Sequence, residues 1–313
     1  PDDQLAMRGA AMVDLGLHRF ADALTKSAAA VDLAPLDHVA IAALVDANIE
    51  LGYYESAEAE LDRLFSIRPG VQAYTRLSYL HQLRGDDEAA EEAMYLAQTS
   101  AAGLVAETAK IDGFLGEFFL ERGRLAEADD AYRRATESAP GNIDYRVGSA
   151  RVAFLEGRVD EAAAALDALL LIDPESTAGL MLQAEIADAG GETAADAVAA
   201  VVEGAAQERA AGYGVDPSQA LFEATFADPA TALDTALAIH EARPDNVKAD
   251  HALAWAYHRA GQTKEATVHL ADAVRFDTSD HLLHAHAAEI LAAMGDTVGA
   301  AHHQQRAAEL APR

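Results

Sequence analysis

The sequence predicts an all-α protein, a solenoid of about nine helix-turn-helix units, and three observations carry that expectation. Small, aromatic, glycine and proline residues recur at fixed offsets. The offsets repeat at about 34 residues, and no alternating Val/Ile/Thr/Tyr run bounded by turn residues, the mark of a strand, is present.

The unit is clearest from Phe114 to Pro140, FLGEFFLERGRLAEADDAYRRATESAP. Gly116 and Ala128 are small, so two helices can cross closely, while Leu115, Phe119 and Tyr132 fill the space around the crossing. Gly123 closes the first helix in a conformation that is cheap only without a Cβ. Pro140 lacks the amide hydrogen that would continue the second helix, so the chain turns there into the next pair.

In chain order, Phe20, Ala23, Ala30 and Pro35 give a first copy with its turn shifted by two residues. The second has Gly52, Ala57, Leu61 and Pro69, the third Gly85, Ala90, Met94 and Ala97, and the fourth is the unit above. The fifth has Gly157, Ala162, Leu166 and Pro174. The sixth is weak, and the seventh, Ala232, Ala236, Ile239 and Pro244, is degenerate. Gly261, Ala266, Leu270 and Ala273 mark the eighth, and Gly295, Ala300, Ala307 and Pro312 the ninth. Pro35 and Pro69, Pro140 and Pro174, and Gly261 and Gly295 are each 34 apart, while Pro174 and Pro244 are 70 apart, room for two units.

Two stretches break the period. Gly85 and Gly123 are 38 apart because QTSAAGLVAETAK lengthens the joint between units three and four, as a tolerated insertion. The second break is Gly190 to Gln219, where the expected proline is missing. There the second helix of unit six is expected to run to about Arg209, followed by an irregular turn, GYGVDP. Asp216 then caps a short helix, Ser218 to Phe226, that begins at Pro217. This joint, near 205–217, is read as a protease-sensitive bend dividing units one to six, residues 1–212, from units seven to nine, residues 213–313.

The set Leu115, Gly116, Phe119, Ala128, Tyr132 and Pro140 resembles the tetratricopeptide repeat pattern, with Asp112 standing where the first aromatic is expected. The resemblance extends over essentially the whole chain. RLSYLHQLRGDDEAAEEAM, DHALAWAYHRAGQTKEA and RFDTSDHLLHAHAAEILAAMGD are similar to segments of a group of bacterial tetratricopeptide proteins. The resemblance implies a right-handed superhelix and a non-catalytic scaffold that binds a partner protein or peptide on its concave face, lined by the first helix of each unit. Its central row then reads Met12, Asp46, Tyr79, Glu117, Arg151, Glu185, Leu221, Trp255 and Glu289. One turn earlier stand Arg8, Ala42, Thr75, Gly113, Val147, Met181, His251 and Ala285. Neither row holds the Lys and Asn that a carboxylate clamp requires, so a chaperone tail is not the expected ligand. His251, Trp255, His258 and Arg259 fall along one helical face and form a candidate peptide hot spot, unless Trp255 covers the neighbouring unit. Alternative roles are a sensory or regulatory segment of a longer protein, or binding of a metal or small ligand by the His-rich C-terminal units.

Composition narrows the partner. A net charge of -29 and a pI near 4.6 argue against nucleic acid and anionic lipid and favour a basic peptide, although acidity also serves as a solvated outer face. No run reaches the ~18 apolar residues of a membrane helix. The absence of cysteine removes disulfides, thiolate metal sites and a cysteine nucleophile. No phosphate loop, Gly-x-Ser-x-Gly elbow or dinucleotide fingerprint is present, so neither catalysis nor a cofactor is expected. Both the cytoplasm and export with removal of a leader remain compatible with the sequence.

Nine of the 12 histidines lie at or beyond His240. In HLLHAH only His281 and His284 share a face, so no metal site is expected, these two being the nearest candidates. The first helix leaves Leu5, Met7, Met12 and Val13 unprotected, so an upstream segment or a second chain is expected to cover them. The last helix has a polar face of His302, Gln304, Gln305 and Arg306 that suits a cap.

Overall fold

The computed structural model describes residues 3–311, and among them are eighteen α-helices and no strand. The first three pairs are α1 (Gln4–Gly16) with α2 (Phe20–Leu33), α3 (His38–Leu51) with α4 (Tyr54–Ile67), and α5 (Val71–Leu83) with α6 (Asp87–Ser100). The next three are α7 (Val105–Glu121) with α8 (Leu125–Ser138), α9 (Ile143–Leu155) with α10 (Val159–Leu170), and α11 (Thr177–Ala189) with α12 (Ala195–Ala210). The last three are α13 (Pro217–Phe226) with α14 (Pro229–Ala242), α15 (Val247–Arg259) with α16 (Thr263–Ala273), and α17 (His281–Ala293) with α18 (Thr297–Leu310). Nine helix hairpins of an all-α solenoid result, as the periodicity predicts.

The local reasons are those the residue types supply. Turn glycines of the clear units, Gly52, Gly85, Gly123, Gly157, Gly261 and Gly295, have φ between 66 and 84°, where a Cβ would be strained. Ala57, Ala90, Ala128, Ala162, Ala232 and Ala266 are fully buried at the helix crossings. The Tyr132 ring occupies the room that two glycines leave: a Cβ on Gly116 or Gly148 would lie 2.7 or 2.4 Å from it. Asp112 is buried, and Arg134 Nε donates to its Oδ1 at 3.1 Å, so an ion pair fills the place of the missing aromatic. The lengthened joint after α6 is partly absorbed as helix, for α7 runs to 17 residues. Pro312, the last proline of the pattern, lies outside the described residues.

Packing groups the chain differently from a cut at 212. One compact unit joins the chain through Ser100 to Glu208–Thr278; the other comprises Ala101–Gln207 and the chain from Ser279 onward. In the first unit, residues almost two hundred positions apart bond directly. Asn246 Nδ2 donates to the Glu50 carbonyl at 3.0 Å, Val247 N–H to the Tyr54 hydroxyl at 3.2 Å, and the Thr278 hydroxyl to the Leu83 carbonyl at 2.6 Å. Val247 and Phe276 pack into the same apolar core as Ile41, Leu61 and Leu64. The GYGVDP turn is tied down as well. Gly214 N–H donates to the Leu17 carbonyl at 2.9 Å, Arg243 Nη2 donates to the Val215 carbonyl at 3.1 Å, and Val215 is buried. The expected bend at 205–217 therefore holds its last residues by hydrogen bonds and burial. The other predictions for this stretch agree with the structure: α12 ends one residue beyond Arg209, and Asp216 accepts from Ser218 N–H at 2.8 Å as the cap of α13.

Candidate functional site

In the first unit, the first helices of three successive hairpins, α1, α3 and α5, bring part of the predicted row together. A cavity of about 260 Å³ is lined by Leu15, His18, Phe20, Asp46, Ile49, Glu50, Tyr79 and Asp216. Asp46 and Tyr79 were predicted to face a ligand; Glu50 lies one helical turn beyond Asp46 on α3. Each carboxylate has a basic neighbour that fixes it. Arg76 Nη2 donates to Asp46 Oδ2 at 2.5 Å while its Nε donates to the Ala42 carbonyl at 3.1 Å. Arg243, itself buried, donates to Glu50 Oε2 at 3.0 Å and lies 4.4 Å from the Phe20 ring centroid. Lys248 Nζ stands 5.2 Å from the Tyr79 ring centroid.

Burial shifts three groups of this cavity away from their ordinary values. It pushes the Glu50 carboxyl above its ordinary value against the pull of Arg243, and raises the Tyr79 hydroxyl. It lowers His18, with Arg243 adding to the effect, so the imidazole there favours its neutral form. The wall thus combines aromatic and aliphatic surface with acceptors already oriented by Arg76 and Arg243. Such a wall suits a side chain with an apolar stem and a donor head.

The remaining predicted residues are distributed among other tasks. Arg8 Nη1 bonds Asp37 Oδ2 at 2.9 Å, the Thr75 hydroxyl donates to the Val71 carbonyl at 2.9 Å, and Met12 is exposed. In the second unit Arg151 grips Glu185 with two bonds, 2.7 and 3.0 Å, between positions one repeat apart, and Glu117 is exposed. The row is therefore partly a ladder that braces successive repeats.

His251 and Trp255 do not line an open wall, since both are only 3% exposed. Trp255 Nε1 donates to the Thr225 hydroxyl at 3.1 Å, so the indole covers the preceding hairpin. His258 stacks on it with centroids 5.4 Å apart, and Arg259 lies 5.5 Å from its ring. Trp255, His258 and Arg259 lie close to one another, as spacing along the helix suggests. That spacing could not tell whether their shared face met solvent or α13.

Histidines also gather across helices, one of them from the HLLHAH motif. His284 is fully buried, with Nδ1 2.8 Å from His303 Nδ1. Among the described residues, the one group of three convergent metal-type ligands is instead His240, Asp250 and His269, from α14, α15 and α16. Asp250 Oδ1 lies 3.3 Å from His240 Nδ1 and 3.6 Å from His269 Nδ1. Burial raises Asp250 to about 6 and lowers His269. The sequence signal was weak, because the three residues stand on three helices at separations matching no ligand motif.

On α1, Leu5 and Val13 are exposed beside Met12, while Met7 packs against the core. No described helix is long and apolar enough to cross a membrane.

The family model described as tetratricopeptide repeat matches residues 119–186. Among solved structures, the APC/C hetero-tetramer Cut9-Hcn1 is similar at 15% identity and a TM-score of 0.50, over 89% of this chain and 54% of that one. A tetratricopeptide repeat protein from Parabacteroides merdae is similar at 18% identity and a TM-score of 0.41, over 77% of this chain and 93% of that one. MamA is similar at 18% identity and a TM-score of 0.39, over 53% and 90%. Comparison with curated proteins gives no match.

Proposed function

We propose that the first unit of this all-α solenoid, whose residues 119–186 match the tetratricopeptide repeat model and whose architecture suits a protein-interaction scaffold, binds an extended segment of a partner protein across α1, α3 and α5. The observation that carries this reading is the convergence of Asp46, Glu50 and Tyr79 with Phe20 and Ile49 around one cavity. A Lys or Arg of the partner would lay its stem on the aromatic surface and direct its head to the carboxylates. The net charge of -29 draws a basic segment toward this surface and disfavours an acidic one.

Peptide display on the immobilised protein tests the reading. Enriched sequences should carry a basic residue beside an aromatic or aliphatic one, and Asp46→Lys should weaken their binding at least about tenfold, the range of an interface hot spot. Tyr79→Ala should act in the same direction. Enrichment of acidic sequences, or equal binding to the Asp46→Lys protein, would overturn the assignment of this cavity. Binding by the repeats does not require catalysis, and none of the cavity residues pairs a nucleophile with a general base.

A further inference from the structure

We propose that His240, Asp250 and His269 form a binding site for a divalent first-row transition ion of the zinc class. The site is independent of the partner-binding cavity.

Three observations converge on it. The ligand atoms are of the right kind and lie within 4.8 Å of one another, with Asp250 Oδ1 at 3.3 Å from one imidazole nitrogen and 3.6 Å from the other. Ligands held about 2.0–2.1 Å from a tetrahedral ion stand about 3.3–3.4 Å apart, so small ring rotations bring all three into a coordination shell.

The second observation is that these three atoms are orphans. His240 Nδ1, Asp250 Oδ1 and His269 Nδ1 are each buried without a hydrogen-bond partner. Buried polar atoms are rarely left so, and here three of them face one another. No hydrogen bond joins either imidazole nitrogen to the carboxylate oxygen. A lone pair on each nitrogen and one on the oxygen, pointed at a shared cation, resolves all three deficits together.

The third observation is the support around the ligands. Asp250 is 1% exposed at the floor of the site, and its other oxygen, Oδ2, is 3.4 Å from Arg275 Nη1. Arg275 also donates to the Asp245 carbonyl at 2.5 Å, which fixes its guanidinium. The His269 ring is stacked on Tyr257 with centroids 5.6 Å apart and 12° between planes. Outer partners of this kind orient ligands before the ion arrives. The two imidazoles are about a quarter exposed, with side-chain exposures of 25% and 21%, while their ligand atoms are buried, so rotation of a ring would admit the ion and a water as fourth ligand. Two neutral imidazoles and one carboxylate leave a net positive centre, and their mixed nitrogen and oxygen character suits zinc, cobalt or nickel better than calcium or magnesium.

The test uses tag-free, EDTA-stripped protein titrated with Co2+, whose visible bands report nitrogen and oxygen ligands and their geometry, followed by displacement with Zn2+. One equivalent should bind with tetrahedral or five-coordinate bands and leave when zinc is added. His240→Gln and His269→Gln should each weaken binding by more than the roughly 10–100-fold typical of losing an outer partner. Joint His302→Ala and His303→Ala substitution should leave the bands unchanged. Absence of a stoichiometric cobalt spectrum in the wild-type protein would overturn the proposal, even if the glutamine variants do not fold. So would bands that survive His269→Gln and vanish on removal of His302 and His303.

Discussion

Replacing Gly52 by alanine measures how firmly the two halves of the first unit are docked. Gly52 ends α3 at φ 84°, so any L side chain costs about 1–2 kcal/mol there from backbone strain alone. A Cβ would also stand 2.1 Å from both the carbonyl carbon and the oxygen of Asp245, and this neighbour is backbone that cannot swing aside. Restoring van der Waals contact needs more than 1 Å of separation. That displacement breaks the bonds from Asn246 Nδ2 to the Glu50 carbonyl (3.0 Å) and from Val247 N–H to the Tyr54 hydroxyl (3.2 Å), and strains the 3.0 Å Arg243–Glu50 pair. At about 1 kcal/mol for each neutral bond, the expected destabilisation is about 3–5 kcal/mol in total. Gly261→Ala is the matched control: it has φ 77° in the same unit, but a Cβ there meets nothing within 4 Å, so only the strain of about 1–2 kcal/mol applies. Urea unfolding followed by fluorescence of Trp255, the single tryptophan, reads this unit in both variants. Equal losses in the two proteins would refute the docking of residues 245–247 on the end of α3.

Three further outcomes are expected. Trp255→Ala should destabilise the protein by about 3–5 kcal/mol in a thermal or urea melt, because the ring is buried and its N–H is bonded to Thr225; a surface residue would cost far less. Glu223 is fully buried, and burial raises its carboxyl above the unfolded value of about 4.3, so the folded state binds the proton more tightly. Stability linked to this group is therefore full below about pH 4.3 and falls as pH rises through the folded value, and Glu223→Gln should match wild type at low pH and exceed it at neutral pH in denaturant titrations. In limited proteolysis, residues 213–216 should resist cleavage longer than the joint after α10, where Leu171 and Ile172 are 85% and 65% exposed; first cleavage at Gly214 or Val215 would contradict their anchoring.

Much of the repeat architecture was legible because each of its signals is local. Gly123 at a turn, Ala128 at a crossing and Pro140 after a helix act through their immediate neighbours, and the structure uses each in that way. The grouping of the two ends of the first unit was not legible. A repeat frame predicts contacts between adjacent hairpins, whereas Gly52 meets Asp245 through a turn whose sequence reads like any other. The candidate sites divide similarly. Asp46 and Tyr79, chosen by their register on the first helix of each hairpin, line one cavity, while the burial of Trp255 depends on α13, an atypical unit. His240, Asp250 and His269 came together only through the packing of α14, α15 and α16, and no motif spacing encodes that.

The divided first unit also sets an order of events at the ribosome. Its opening six helices leave the exit tunnel well before the strip that completes their core, because the 107 residues from Ala101 to Gln207 must be translated first. At about 5–20 residues per second that interval lasts roughly 5–20 s. Throughout it, the α3 and α4 surface that will receive Val247 and Phe276 is open to water and to other nascent chains. Hairpins of the intervening segment can form in the meantime, so synthesis would shape the middle of the chain before it closes the first unit, and would complete the second unit last. Slowing or shortening the intervening segment would change how long that apolar surface waits, and with it the yield of native protein, while leaving every contact of the finished molecule unaltered.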